Sequence, residues 1–187
     1  MMIRIISNFE LYHLGFMIHT ERLELFPANE TVLIAALTDT RMLASALGCQ
    51  IEGRWSEFGR APLEYALKKI KANAREGAWW TYFPIEVATN RLIGTCGYKG
   101  PPDDEGIVEI GYEVIPDRRR LGFGKEIAAA LIRHAWSDPR VLKVLAHTLA
   151  DTNPSSRILR SCGLHFVRAL IDTEDGPIWQ WEINRPG

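Results

Sequence analysis

Arg119, Gly122 and Gly124 are the residues whose types and spacing first point to chemistry. They lie in RRRLGFGKE, Arg118 to Glu126, between the end of an apolar strand pattern and the start of an apolar helical stripe. The first turn of a helix carries unpaired N–H groups and the positive end of the helix dipole. Two glycines there let a ligand approach the main chain, and arginines add charge-assisted hydrogen bonds to phosphate oxygens. The stretch reads as an anion cradle, and its spacing narrows the anion. A dinucleotide loop, GxGxxG, needs a third glycine where Ile127 stands. A triphosphate loop, GxxxxGK followed by Ser or Thr, needs glycine where Arg119 stands and a hydroxyl where Glu126 stands. Nucleic acid asks for a broad basic surface, but the formal net charge is -1. The plain alternative is a basic helix entry after a turn.

The elements around the cradle follow from periodicity. TERLELF alternates polar and apolar residues, as a half-buried strand does. Asn29 to Leu37 and Thr40 to Leu47 read as helices, and IEGRWSEFGR as a loop. A further helix runs from Pro62 to a stop at Gly77. WWTYFPIEVA, LIGTCGYKG and IVEIGYEV read as three strands, with TNRL as a turn between the first two. In the third, Glu109, Gly111 and Glu113 share one face and Ile110, Tyr112 and Val114 the other. A helix with the stripe Ile127, Ala128, Leu131, Ile132, Ala135 and Trp136 follows the cradle. VLKVLAHTL is a strand, NPSSRILRSC a short helix ended by Gly163, and HFVRALI with PIWQWEIN a closing hairpin.

That order predicts a mixed α/β (α+β) fold. Its central sheet is mostly antiparallel, with about seven strands and about four helices. The 187 residues, 47% hydrophobic and 24% charged, suit one domain over residues 18–187, with 1–17 an N-terminal extension or an over-extended start. Cys49, Cys96 and Cys162 form no CxxC pair, so neither a disulfide scaffold nor a metal site is expected and a reducing, cytoplasmic setting fits. No apolar run approaches a membrane span, and the N-terminus lacks a clean signal-peptide core.

The chain resembles the GNAT superfamily of N-acetyltransferases, in its ribosomal-protein-acetyltransferase-like (RimJ/RimL-like) branch. Arg119-x-x-Gly122-x-Gly124 is similar to the acetyl-CoA loop of that superfamily. Asn153, Ser155, Arg157, Ile158, Leu159 and Gly163 are similar to the branch motif after the next strand. TERLELFP resembles its first strand, and EIGYEVIPDRRRLGFGKEI its central motif. The matches cover about residues 18 to 185. The chain departs from the branch in having Arg118-Arg119-Arg120 before the glycine loop, Leu164 after Gly163, and Arg160-Ser161 in the last helix. That helix also lacks the tyrosine that serves other branches as general acid.

The resemblance implies transfer of an acetyl group from acetyl-CoA to a primary amine, a protein N-terminus or a small molecule, by direct attack in a ternary complex. The amine must lose a proton, since α-amino groups titrate near ~8 and lysine near ~10.4. Glu109 is the lead acceptor of that proton, with Glu113 second on the same face. The plain alternative for either is a solvated or ion-paired strand residue. Ser155 is expected near the CoA sulfur, or as a helix cap. Asn153 is expected on the pantetheine arm, or as a cap. Arg119 and Arg120 would hold the pyrophosphate with the main chain of Leu121, Gly122, Phe123, Gly124 and Lys125. A strand splayed after Val114 would meet the pantetheine amides. His147 and Cys162 read first as packed residues, and second as a base and a nucleophile. Of the aromatics, Trp79, Trp80 and Tyr82 are expected mostly in the core, and Trp55 and Phe58 at the acceptor. No metal, nucleic acid or membrane partner is implied, and the chain is expected as a monomer or homodimer. The competing reading is a non-catalytic acyl-CoA-binding module of the same fold.

Overall fold

The computed structural model describes residues 17–173 and 175–187. The expected extension, residues 1–16, lies outside them, as does Glu174 in the last hairpin. Strands β1 (Ile18–His19) and β2 (Leu23–Pro27) precede three helices, α1 (Glu30–Thr38), α2 (Thr40–Leu47) and α3 (Ala61–Ala72). A 3-10 turn (Ala74–Trp79) leads into β3 (Thr81–Glu86), β4 (Arg91–Leu92), β5 (Gly94–Tyr98) and β6 (Ile107–Val114). Helix α4 (Phe123–Ser137), β7 (Lys143–Leu149), α5 (Pro154–Ser161), β8 (His165–Asp172) and β9 (Gly176–Asn184) complete the chain. The strands form one open sheet in the order β1-β2-β3-β5-β6-β7-β9-β8, with β4 paired to β3. Only the β6–β7 pair is parallel among the described residues.

This is the mixed α/β fold expected. The sheet has nine strands rather than about seven, because β1 and β4 are two-residue pairings too short to leave a periodic pattern. The helix expected to run to Gly77 stops at Ala72. Asn73 turns extended there (φ −149°) and its side chain accepts a hydrogen bond from the Arg75 N–H, starting the 3-10 turn. Trp79 and Trp80 precede β3 rather than opening it.

Alternation along the strands sends apolar side chains to two cores. Leu23 and Leu25 of β2, Tyr82 of β3, and Val108 and Ile110 of β6 pack with Ile127 and Leu131 of α4. Phe83 and Ile85 point the other way, onto Val32 and Leu33 of α1, Leu43 of α2 and Leu63 of α3. Full burial of each such side chain is worth about 1.5–3 kcal/mol. Helices α1 to α3 therefore cover one face of the N-terminal half of the sheet. Glu109 and Glu113 lie on that same side, opposite Val108 and Ile110.

β6 pairs with β5 along Ile110 to Val114, but with β7 only from Ile107 to Glu109. The two central strands thus part after the Glu109–Leu145 pair. The opening expected after Val114 begins earlier, and Val114 stands at its wide end.

Candidate active site

The cradle is built by a sharp change of direction after β6. Pro116–Arg118 form a single 3-10 turn, Arg119 is extended, and Arg120 adopts φ +62°. Gly122 follows at φ +89° as the N-cap of α4. A side chain there would be strained, whereas glycine adopts this geometry freely. No side chain caps α4, nor α3, which has Pro62 in its first turn instead, while Asn29, Asp39 and Asn153 cap α1, α2 and α5. The first-turn N–H groups of α4 therefore have no side-chain cap among the described residues.

The two glycines do different work. A Cβ on Gly122 would face the Arg22 guanidinium at 3.3 Å. A Cβ on Gly124 would stand 3.0 Å from Ile158 Cδ1 and 3.7 Å from the Tyr112 ring. Gly124 lets α4 pack closely on α5 and β6, and Gly122 opens the outer surface. Phe123 is buried, so only its main chain can serve the cradle, whereas Leu121 and Lys125 are exposed.

The three arginines also separate. Arg118 turns toward β3 and pairs with Glu86 at 3.1 Å. The Arg119 Nε–H donates to the Val114 carbonyl at 2.7 Å, and its Nη2 meets Glu57 at 2.5 Å. Arg120 is exposed. Sequence reasoning missed Arg22, whose guanidinium donates to the Leu121 carbonyl at 3.0 Å and lies 4.4 Å over the Phe123 ring. It pairs with Glu126 at 2.6 Å. The one basic residue of TERLELF was the available signal.

Glu126 ties the β1–β2 turn to α4. Burial opposes its charge, but hydrogen bonds from the Thr20 hydroxyl, the Arg22 N–H and the Arg22 guanidinium outweigh it and hold its pKa below the usual range. A depressed carboxylate contributes stability above its unfolded value, about 4.3, and loses it as pH falls through the folded value. Glu126→Gln should therefore lower the urea midpoint more at pH 7 than at acid pH, as paired unfolding curves would show.

Lys99 N–H donates to the Glu109 carbonyl at 3.0 Å and Ile115 N–H to the Ile93 carbonyl at 2.9 Å. Odd-numbered residues of β6 thus turn their main-chain groups to β5. Those of Ile110, Tyr112 and Val114 face the gap before β7, where Arg119 occupies the Val114 carbonyl. Across the gap stands the start of α5. Asn153 and Ser156 cap that helix reciprocally, at 2.9 Å and 3.1 Å. Of its two expected roles, Asn153 plays the cap. Ser155 is spared that duty, and the Tyr112 hydroxyl lies beside it without a hydrogen bond of good geometry. Burial raises the Tyr112 pKa, partly offset by Ser155, so the phenol stays protonated. Sequence inspection missed Tyr112 because it looked for a tyrosine within the helix.

On the other face, Glu109 Oε1 is 2.5 Å from Lys99 Nζ and 3.0 Å from His147 Nδ1. His147 is not simply packed among apolar neighbours. Glu113 accepts from Thr95 Oγ1 at 2.6 Å, Ser56 Oγ at 2.5 Å and the Glu57 N–H at 2.7 Å. Three donors make it an anchor for the loop between α2 and α3. That loop rims an open cavity of about 410 Å³ lined by Arg54, Glu57, Arg91, Glu113, Val114 and Asp117. Trp55 packs edge-on against Phe83, while Phe58 is exposed. Trp79, Trp80 and Tyr82 are core. Burial raises the Cys162 thiol above its ordinary value despite Ser161 and Lys125, which disfavours a nucleophilic thiolate. No cluster of three metal-ligating side chains occurs among the described residues, and no helix there is long and apolar enough to cross a membrane.

A family model described as "Acetyltransferase (GNAT) domain" matches residues 34–165, well over half of the chain. The chain belongs to the GNAT acetyltransferases. As a GNAT protein it is an acyl-CoA-dependent acetyltransferase. It is 28% identical over 149 residues to the uncharacterized N-acetyltransferase YjdG of Bacillus subtilis, covering 79% of this chain and 88% of that one. Among solved structures, it is similar to RimL, a ribosomal-protein α-N-acetyltransferase in complex with coenzyme A. That match has a TM-score of 0.64 and 16% identity, over 90% of this chain and 97% of the other. It is also similar to a Salmonella typhimurium acetyl transferase that modifies the N-terminal serine of a ribosomal subunit protein. Here the TM-score is 0.65 with 14% identity, over 91% and 99% of the two chains.

Proposed function

We propose that this GNAT protein transfers the acetyl group of acetyl-CoA to a primary amine, on a protein N-terminus or a small molecule, in a ternary complex. The observation that carries the reading is the parting of β6 and β7 after Glu109, beside the uncapped glycine start of α4. The pyrophosphate lies on the first-turn N–H groups of Leu121 to Lys125. Arg120 and Arg22 stand beside it, and Arg119 joins by exchanging Val114 for phosphate. The Val114 carbonyl so released accepts a pantetheine amide. The thioester then reaches the apex of the gap, with Ser155 and Tyr112 on one side and Glu109 on the other.

The amine attacks the thioester carbonyl, the C–N bond forms and the C–S bond breaks. The proton lost by nitrogen leaves on the Glu109 side of the gap and passes to water, and the departing thiolate gains a proton from the Ser155 hydroxyl, which water restores. The N-terminal acceptor is supported by the likeness to RimL. A thermal-shift titration with acetyl-CoA tests the donor half, because a ligand that binds only the native state raises its stability. A concentration-dependent rise is expected. No shift at millimolar acetyl-CoA would remove the reading.

A further inference from the structure

We infer that His147, rather than Glu109, is the immediate proton acceptor of the reaction, with Glu109 as the residue that positions it. The inference rests on the acetyl-transfer reading above. β7 turns Val144, Ala146 and Thr148 into the core and Lys143, Leu145 and His147 to the other face, the face of Glu109. Glu109–Leu145 is the last pair between β6 and β7. His147 is two residues further along the β7 arm, and its ring reaches back across the apex of the gap to Glu109.

The hydrogen bonding around this pair assigns the roles. Glu109 Oε1 already takes the Lys99 ammonium at 2.5 Å and His147 Nδ1 at 3.0 Å. With the ammonium and the imidazole both held on Oε1, the carboxylate faces the ring as an acceptor. It favours the ring tautomer with hydrogen on Nδ1. The lone pair then resides on Nε2, which is buried with no hydrogen-bond partner among the described residues. A buried polar nitrogen without a partner is costly. At the apex of a thioester site, an amine proton gives it one. Carboxylate, imidazole and reacting group in series is the arrangement that general-base catalysis uses elsewhere.

The proton balance is simple. As the C–N bond forms, nitrogen becomes positively charged and releases one proton to Nε2. The imidazolium is stabilised by Glu109 and passes that proton to water after the product leaves. Glu109 keeps its charge throughout. Lys99, 66% exposed at its side chain, holds the carboxylate from the solvent side.

His147→Asn separates this from a structural role, because the asparagine amide can still donate to Glu109 but offers no Nε2. Thiol release is measured with acetyl-CoA and two peptides, one with a free α-amine and one with an N-terminal aminooxy group, which is neutral at pH 7 and whose far more acidic nitrogen sheds its proton to water once the C–N bond forms. The variant is expected to lose about 100-fold in kcat on the α-amine peptide and under about threefold on the aminooxy peptide, with an unchanged acetyl-CoA thermal shift. Equal losses on both peptides, or none, would overturn the assignment. Long-range proton–nitrogen spectra of the free, unmodified protein give an independent reading. They should show His147 with Nδ1 protonated and Nε2 bare. An Nε2–H tautomer would overturn the inference while leaving acetyl transfer intact. If the unmodified protein transfers to neither peptide, the function itself fails for these acceptors, whatever the tautomer.

Discussion

Gly122→Glu should abolish acetyl-CoA binding. Two effects act together at this position. The new carboxylate would stand at the mouth of the cradle and repel the pyrophosphate, and its stem would cover the N–H groups that the glycine leaves open. The backbone also suffers, since φ is +89° at Gly122 and a side chain there costs about 1–2 kcal/mol. Gly122→Ala isolates that second effect. It should lower the unfolding midpoint by a few degrees yet keep a thermal shift with acetyl-CoA. For the unmodified protein at a hundredfold excess over Kd, ligand stabilisation is about 2.7 kcal/mol, or roughly 5–10 °C for a chain of this size. The glutamate variant should show none of it. A full shift in that variant would place the pyrophosphate elsewhere.

Glu109→Gln should cut turnover by about 100-fold, because the imidazole that takes the proton loses the carboxylate that orients it and stabilises its charged form. Acetyl-CoA affinity should hardly change, because Glu109 lies at the apex of the gap and the proposed pyrophosphate site lies beyond its wide end. The amide oxygen can still accept from both Lys99 and His147, since both meet Oε1, but it carries no charge to stabilise the imidazolium that forms during the reaction. The loss should therefore appear in kcat while the acetyl-CoA thermal shift persists. Glu113 makes a contrasting control. Its carboxylate holds Ser56, Thr95 and the Glu57 N–H, so its removal frees the loop carrying Trp55 and Phe58 and acts on acceptor KM.

The local parts of this site were legible in the sequence. The period of two in IVEIGYEV placed Glu109 and Glu113 on one face, because strand side chains alternate regardless of context. The glycine spacing located the helix start and excluded two other phosphate loops. What the sequence withheld were partnerships between distant segments. Glu109 meets His147 from the neighbouring strand, Glu113 meets Ser56, and Glu126 meets Arg22, each a choice made by sheet order rather than by local pattern. The division of labour between Ser155 and Ser156 was nearer to hand. A cap at Asn153 bonds the residue three positions on, which is Ser156, so Ser155 was free by spacing alone. Gly124 was misleading in another way. Its absent side chain serves helix packing, which only the position of Ile158 reveals.

Mass spectrometry of amines after incubation with acetyl-CoA and the protein tests the central claim most directly. The panel should include peptides with free N-termini and small primary amines, with released CoA thiol measured in the same samples. The account predicts that at least one amine gains a single acetyl group, matched one to one by thiol. Binding of acetyl-CoA with no acetylated amine, and no thiol above the rate of spontaneous hydrolysis, would contradict it and leave a module that holds the donor without using it.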